Sequence, residues 1–166
     1  MKQLMCLAIV AFSLTGCEIK VEIPVEKAGV VITNNGEVKE QVLRSGKQVV
    51  RTDSKVILYD INYQQVENDF DFLFKDVSSG DVKLTIEFTP VIDSLPGFYK
   101  AYKSIYIDPV VDVKSRSTVR RLLENYNPIE FSKDEFKTKI IEALNNNREI
   151  TDYVKVHKVE VVDLKW

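Results

Sequence analysis

The run from Val82 to Phe88 places the tightest limit on what this chain can become. Val82, Leu84, Ile86 and Phe88 alternate with Lys83, Thr85 and Glu87. A period of two sends the apolar side chains to one face of a strand and the polar ones to the other. Phe70, Phe72 and Phe74 repeat the pattern against Asp69, Asp71 and Leu73, and Ser78-Ser79-Gly80-Asp81 separates the two runs. Strands with one wet face belong to antiparallel sheets. Earlier segments agree. Asn34-Asn35-Gly36 lies between Gly29–Thr33 and Glu37-Val38 and predicts a hairpin with a type I′ turn. Ser45-Gly46 marks another turn, and Val56 to Tyr63 sets Ile57, Tyr59, Ile61 and Tyr63 on one side of a strand.

Beyond Ser94 the period changes. Leu95-Pro96-Gly97 reads as a turn, and Tyr99, Tyr102 and Tyr106 sit at near-helical spacing over a short segment, 98–105. Asp108-Pro109 reads as an N-cap with proline in the first helical position, opening a helix to about Tyr126. Its apolar face is Val119, Leu122, Leu123 and Tyr126. Ser132 and Glu135 have the spacing of a capping box, with Phe131 and Phe136 placed as a hydrophobic staple. That helix carries Phe136, Ile140, Ile141 and Leu144 and ends near Asn145-Asn146-Asn147, since Asn is a poor helix former. A last strand runs from Val154 to Trp166. The predicted fold class is α+β: an antiparallel sheet in the N-terminal half, two or three helices packing on it, and a final strand.

The N-terminus carries a different kind of information. Met1-Lys2-Gln3 precedes an apolar run from Leu4 to Phe12. A membrane-spanning helix needs about 20 apolar residues, so this shorter run reads as the core of a secretory signal peptide. It ends in Leu14-Thr15-Gly16-Cys17, which resembles the bacterial lipobox. The resemblance implies cleavage before Cys17 and lipid on its sulfur and new amino group. Each buried methylene adds roughly 0.8 kcal/mol, and two acyl signals give stable anchoring. Three segments follow: a signal peptide over 1–16, a lipid-anchored tether over 17–27, and a domain over 28–166. Residues 18–28 alternate apolar and charged side chains and read as a partly extended tether or an edge strand, and Pro24 argues against a central strand there. Cys6 leaves with the signal peptide and Cys17 carries lipid, so no intrachain disulfide is available. The fold must stand on its core.

The side chains offer little chemistry. A net charge of −2 gives no basic footprint for nucleic acid. His157 is the only histidine and reads as an exposed strand residue, and no catalytic or phosphate-binding motif occurs. Asn68-Asp69-Phe70-Asp71 lacks the glycine and terminal glutamate of an EF-hand loop, so its acids read as solvated. No catalytic residue, metal or cofactor is expected. Lys114, Arg116, Arg120 and Arg121 give the first long helix a basic side, a candidate contact for a neighbouring subunit or anionic lipid.

In order, Gly29-Val30-Val31, Gly36-Glu37-Val38 and Leu43-Arg44-Ser45-Gly46-Lys47-Gln48 resemble the opening motifs of the SPFH or band 7 family of stomatins, prohibitins and flotillins. Ser45 stands where that family usually has Pro, and Gln48 where it often has His. Asp60-Ile61-Asn62-Tyr63-Gln64, the strand–turn–strand unit over 75–88, Asp108-Pro109, Val119-Arg120, the Ser-capped helix and the Val-rich final strand continue the resemblance across residues 28–166. It implies a non-enzymatic, membrane-associated scaffold in the bacterial envelope that self-associates or gathers membrane proteins such as proteases. A coiled coil usually follows the domain in the family. Here the sequence ends at Trp166, which favours a small oligomer or adaptor over a large cage. The alternative is a monomeric envelope lipoprotein that binds a ligand or peptide.

Overall fold

The alternating segments form the sheet they predict. A computed structural model describes residues 17–103 and 105–166. Strands β6 (Gln64–Leu73), β7 (Ser79–Pro90) and β8 (Val154–Lys165) make an antiparallel sheet in that order, with β7 central. Val66, Asn68, Phe70 and Phe72 of β6 and Val82, Leu84, Ile86 and Phe88 of β7 face the core, while Glu67, Asp69, Asp71 and Lys83 face solvent.

Strand β8 breaks the alternation twice. Its pairing with β7 shifts between Lys83 and Leu84 and again between Glu87 and Phe88, which leaves Val162 and His157 unpaired. Each bulge moves the inward face by one residue. That shift explains why Val161 and Leu164, of opposite parity, are both buried.

Helices α1 (Leu95–Tyr102), α2 (Ile107–Leu123), α3 (Lys133–Asn145) and the short α4 (Arg148–Thr151) stand between β7 and β8 in the chain. Buried Val110, Val111, Val119 and Leu123 of α2, with Phe136, Ile140 and Leu144 of α3, complete one core with the inner face of the sheet. At one end of this core, Phe136 meets Phe74, Phe131 and Trp166 with ring centroids 5.4, 5.4 and 5.5 Å apart. The contacts with Phe131 and Trp166 are edge-to-face, and pairs of that kind contribute about 0.5–1.5 kcal/mol each beyond area burial.

Before this sheet come two smaller ones. Strands β2 (Lys27–Ile32), β3 (Val38–Leu43) and β5 (Lys55–Asp60) form a sheet in the order β3-β2-β5. Strand β1 (Glu18–Ile23) pairs antiparallel with β4 (Gly46–Arg51). Ala28, Val30 and Tyr59 join the main core, while Ile23, Val31, Leu43 and Val50 form a second, small one. Strand β2 is therefore buried on both faces. Gly29 is required within it, because a Cβ there would stand 2.8 Å from Val56 Cγ1.

Several expectations need revision. Of the two readings of the segment before the domain, tether and edge strand, the edge strand holds: β1 lies within 17–27, its partner is more than twenty residues away, and Ile23 at its end is buried. The turn at Asn34-Asn35-Gly36 has positive φ only at Gly36, with Gly36 N–H donating to Thr33 O at 2.9 Å. It is a type I turn closed by a glycine bulge, not type I′. Leu95-Pro96-Gly97 is not a turn but the first turn of α1, where Pro96 needs no helical N–H partner. Helix α2 begins one residue before Asp108, with Tyr106 as N-cap, so Asp108 lies inside the first turn. It ends at Leu123, short of Tyr126, and Tyr106 itself is exposed. The capping box forms as expected: Ser132 N–H donates to Glu135 Oε2 at 2.7 Å, and Glu135 N–H to Ser132 Oγ at 3.3 Å. The staple partners Phe131 and Phe136 touch.

Val77, in the β6–β7 turn, has φ 70° and is 75% exposed. A β-branched residue is strained there and gains no burial in return. Val77→Asn is expected to raise stability by about 1 kcal/mol, read from the denaturant midpoint at unchanged m-value. Ser132→Ala is expected to cost about 1 kcal/mol. The hydrogen bonds from Ser132, backbone first, hold the Glu135 carboxyl below its usual 4.5. A lowered carboxyl stabilises the fold above the ordinary value, and that contribution disappears as pH falls through the folded one. Ser132→Ala keeps the backbone bond and loses the hydroxyl one, so the part of its penalty due to the hydroxyl–carboxylate bond should shrink in acid, as thermal melts at neutral and acidic pH would show.

Candidate functional site

Residue 17 is held directly by the fold. The Cys17 carbonyl accepts from Thr52 N–H at 2.9 Å and Thr52 Oγ1 at 3.0 Å. Glu18 is already in register with Arg51. The Cys17 thiol is exposed. Leu14, Thr15 and Gly16 of the expected peptidase motif, with the rest of the signal segment 1–16, lie outside the described residues. Thr52 belongs to the β4–β5 turn, closed by Ser54 N–H donating to Arg51 O at 3.0 Å. This turn and the β2–β3 turn border one shallow depression, lined by Thr33, Asn34, Gly36, Thr52, Asp53 and Lys55.

The four cations of α2 do not share a side. At about 100° per residue, Lys114 and Arg121 fall together, and Arg116 and Arg120 fall together on roughly the opposite flank. Lys114 pairs with Glu149 of α4 at 3.1 Å and lies 6.0 Å from the Tyr102 ring centre. Arg116 pairs with Asp112 at 2.7 Å. The Arg116 and Arg120 guanidinium groups stand 5.6 and 5.4 Å from the centre of the Phe70 ring. Arg120 Nε also donates to the Asp71 carbonyl at 2.9 Å, on the free edge of β6. Arg121 is exposed. Three of the four thus brace the helix against the sheet or α4.

Beneath Arg116 lies a polar contact that the alternation concealed. Asn68 occupies an inward position of β6 and is fully buried, as is Ser115 of α2. Ser115 Oγ lies 2.6 Å from the Asn68 amide and 2.8 Å from the Asp112 carbonyl oxygen. With its oxygen turned to Ser115, the Asn68 amide directs its nitrogen to the Asp112 carboxylate, so every group has a partner. This network joins β6 to α2. Asn68 therefore differs from its neighbours Asp69 and Asp71, which are exposed as expected of solvated acids.

Other polar groups are dispersed. His157, the bulged residue of β8, is exposed, 2.6 Å from Thr89 Oγ1 and stacked on Tyr63 with centroids 5.7 Å apart. Tyr63 donates to Glu87, and that bond raises its hydroxyl pKa. Burial, with Tyr99 nearby, pushes the Tyr59 hydroxyl up to about 12, where it remains a donor to the Lys103 carbonyl at 2.9 Å. A cleft of about 380 Å³ between the β5–β6 link and the start of α2 is lined by Asp60, Tyr63, Tyr106 and Asp108 among others. Among the described residues no group of His, Cys, Asp and Glu is arranged to hold a metal ion, and no helix is long and apolar enough to cross a membrane.

Residues 21–165 match the SPFH domain / Band 7 family, a family of membrane-associated scaffold proteins. No curated protein matches the chain.

Asn68→Ala strips the Asp112 carboxylate and Ser115 of a buried partner. It is expected to cost about 2–3 kcal/mol in chemical denaturation. Asn68→Ala with Ser115→Ala should cost less than the sum of the two single changes, because the groups share one network.

Proposed function

This chain belongs to the SPFH domain / Band 7 family, and on that premise we propose that it is a lipid-anchored scaffold of the bacterial envelope. Lipid on Cys17 holds the domain to a bilayer, where copies self-associate or gather other membrane proteins, proteases among them. The observation that carries this reading is the place of Cys17. An apolar leader and a lipobox-like motif end at a residue whose thiol is exposed and whose carbonyl is fixed to the folded body.

The mechanism is mass action. Confinement to two dimensions raises the effective concentration of each copy, so contacts too weak to hold in solution become populated on the membrane. No proton transfer or nucleophile is needed. The dispersed polar groups suit such a role: Thr89 meets the His157 imidazole, but among the described residues no carboxylate orients that ring as acyl-transfer chemistry requires.

Cell fractionation tests the anchor. The wild-type chain should sediment with membranes and resist extraction by high salt, while Cys17→Ser should appear in the soluble fraction. Crosslinking at equal protein amounts should yield oligomers on membranes and mostly monomers for Cys17→Ser in solution. Equal distribution of both proteins would remove the anchor, and a monomer in both settings would remove self-association.

A further inference from the structure

The attachment at Thr52 has a geometric consequence. In an extended chain each residue adds at most about 3.3–3.6 Å of reach, so a tether of ten residues would let a domain tumble far from its anchor. Here there is no such reach. Glu18 is paired with Arg51, and the Cys17 carbonyl is bonded to Thr52 through both backbone and hydroxyl. Acyl chains on Cys17 would enter the bilayer directly beside the β4–β5 turn.

The surroundings of that point suit a headgroup layer. The β2–β3 turn lies against the β4–β5 turn, and together they present Thr33, Asn34, Asn35, Gly36, Thr52 and Ser54. Their hydroxyl, amide and backbone groups can hydrogen-bond phosphate and ester oxygens. The charges nearby balance: Arg51 pairs with Asp53 at 3.1 Å and Lys39 with Glu37 at 3.2 Å, and the exposed carboxylate of Glu18 beside Cys17 is offset by the exposed cation of Lys55. No large exposed apolar side chain belongs to either turn. The most exposed ones, Ile129 at 93%, Val25 at 83% and Val77 at 75%, sit on other loops. The surface is therefore built to lie on a polar layer, and the lipid supplies the penetration.

We propose that the end bearing the β2–β3 and β4–β5 turns is the membrane-facing surface, seated on phospholipid headgroups with no flexible tether between the fold and Cys17. This rests on lipidation of Cys17. The proposal fixes which way the domain faces. The turns around Asn35 and Asp53 meet headgroups, while the loop carrying Ile129, between α2 and α3, remains in water.

The test uses the full chain, expressed with its leader and purified from bacterial membranes into vesicles containing headgroup-spin-labelled lipid. Asn35→Cys, Asp53→Cys and Ile129→Cys are made singly at exposed positions and labelled with a thiol-reactive fluorophore. Probes at 35 and 53 should lose most of their emission to the spin label, and the probe at 129 should keep it. Equal loss at all three positions, or loss at 129 alone, overturns the seating while leaving the anchor intact. A parent chain whose Cys17 itself takes the fluorophore overturns the lipid anchor and the seating with it. The two failures are thus read separately.

Discussion

Burial of one face of β7 is the constraint on which the rest of this molecule depends. The strand is central in its sheet, and Val82, Leu84, Ile86 and Phe88 are essentially inaccessible to solvent. The one cysteine among the described residues is a free thiol. Stability therefore has to come from packing, and each large apolar side chain removed from water contributes roughly 1.5–3 kcal/mol. Helices α2 and α3 exist as packed elements because this face needs a cover. Their own helical preference is modest, and short helices gain most of their stability from such contacts.

The features visible in the residues are those governed by local rules. The alternation of β6 and β7 and the Ser132–Glu135 box depend on neighbours within a few positions, and all appear as expected. The features that escaped depend on distant partners. Residues 18–23 alternate well enough for a strand, but their pairing is with β4, and Pro24 pointed towards a tether. Asp108 looked like a cap because Pro109 follows it, yet burial of Ile107 draws the helix one residue earlier. In β8 the change of parity between Val161 and Leu164 was present in the residues, and a bulge at Val162 is its cause.

The candidate sites divide in the same way. Cys17 stood out because a short motif and an apolar run precede it, and the structure adds its attachment to Thr52. The basic residues of α2 are close neighbours in the chain. Helical geometry splits them, and Phe70 and the Asp71 carbonyl engage Arg116 and Arg120. Asn68 could not be singled out from sequence. A polar residue in an inward strand position looks like an interruption until its partners on α2 are known.

The two bulges of β8 bear on how copies of such a domain can meet. An uninterrupted edge strand offers a row of N–H and C=O groups on which a second molecule can build a continuous ladder. Here one border of the main sheet is twice interrupted, at His157 and Val162, and along the other the Asp71 carbonyl is occupied by Arg120. Extension of the main sheet by a further strand is thus disfavoured along both of its borders, and the unbroken edges of the fold belong to the two smaller sheets.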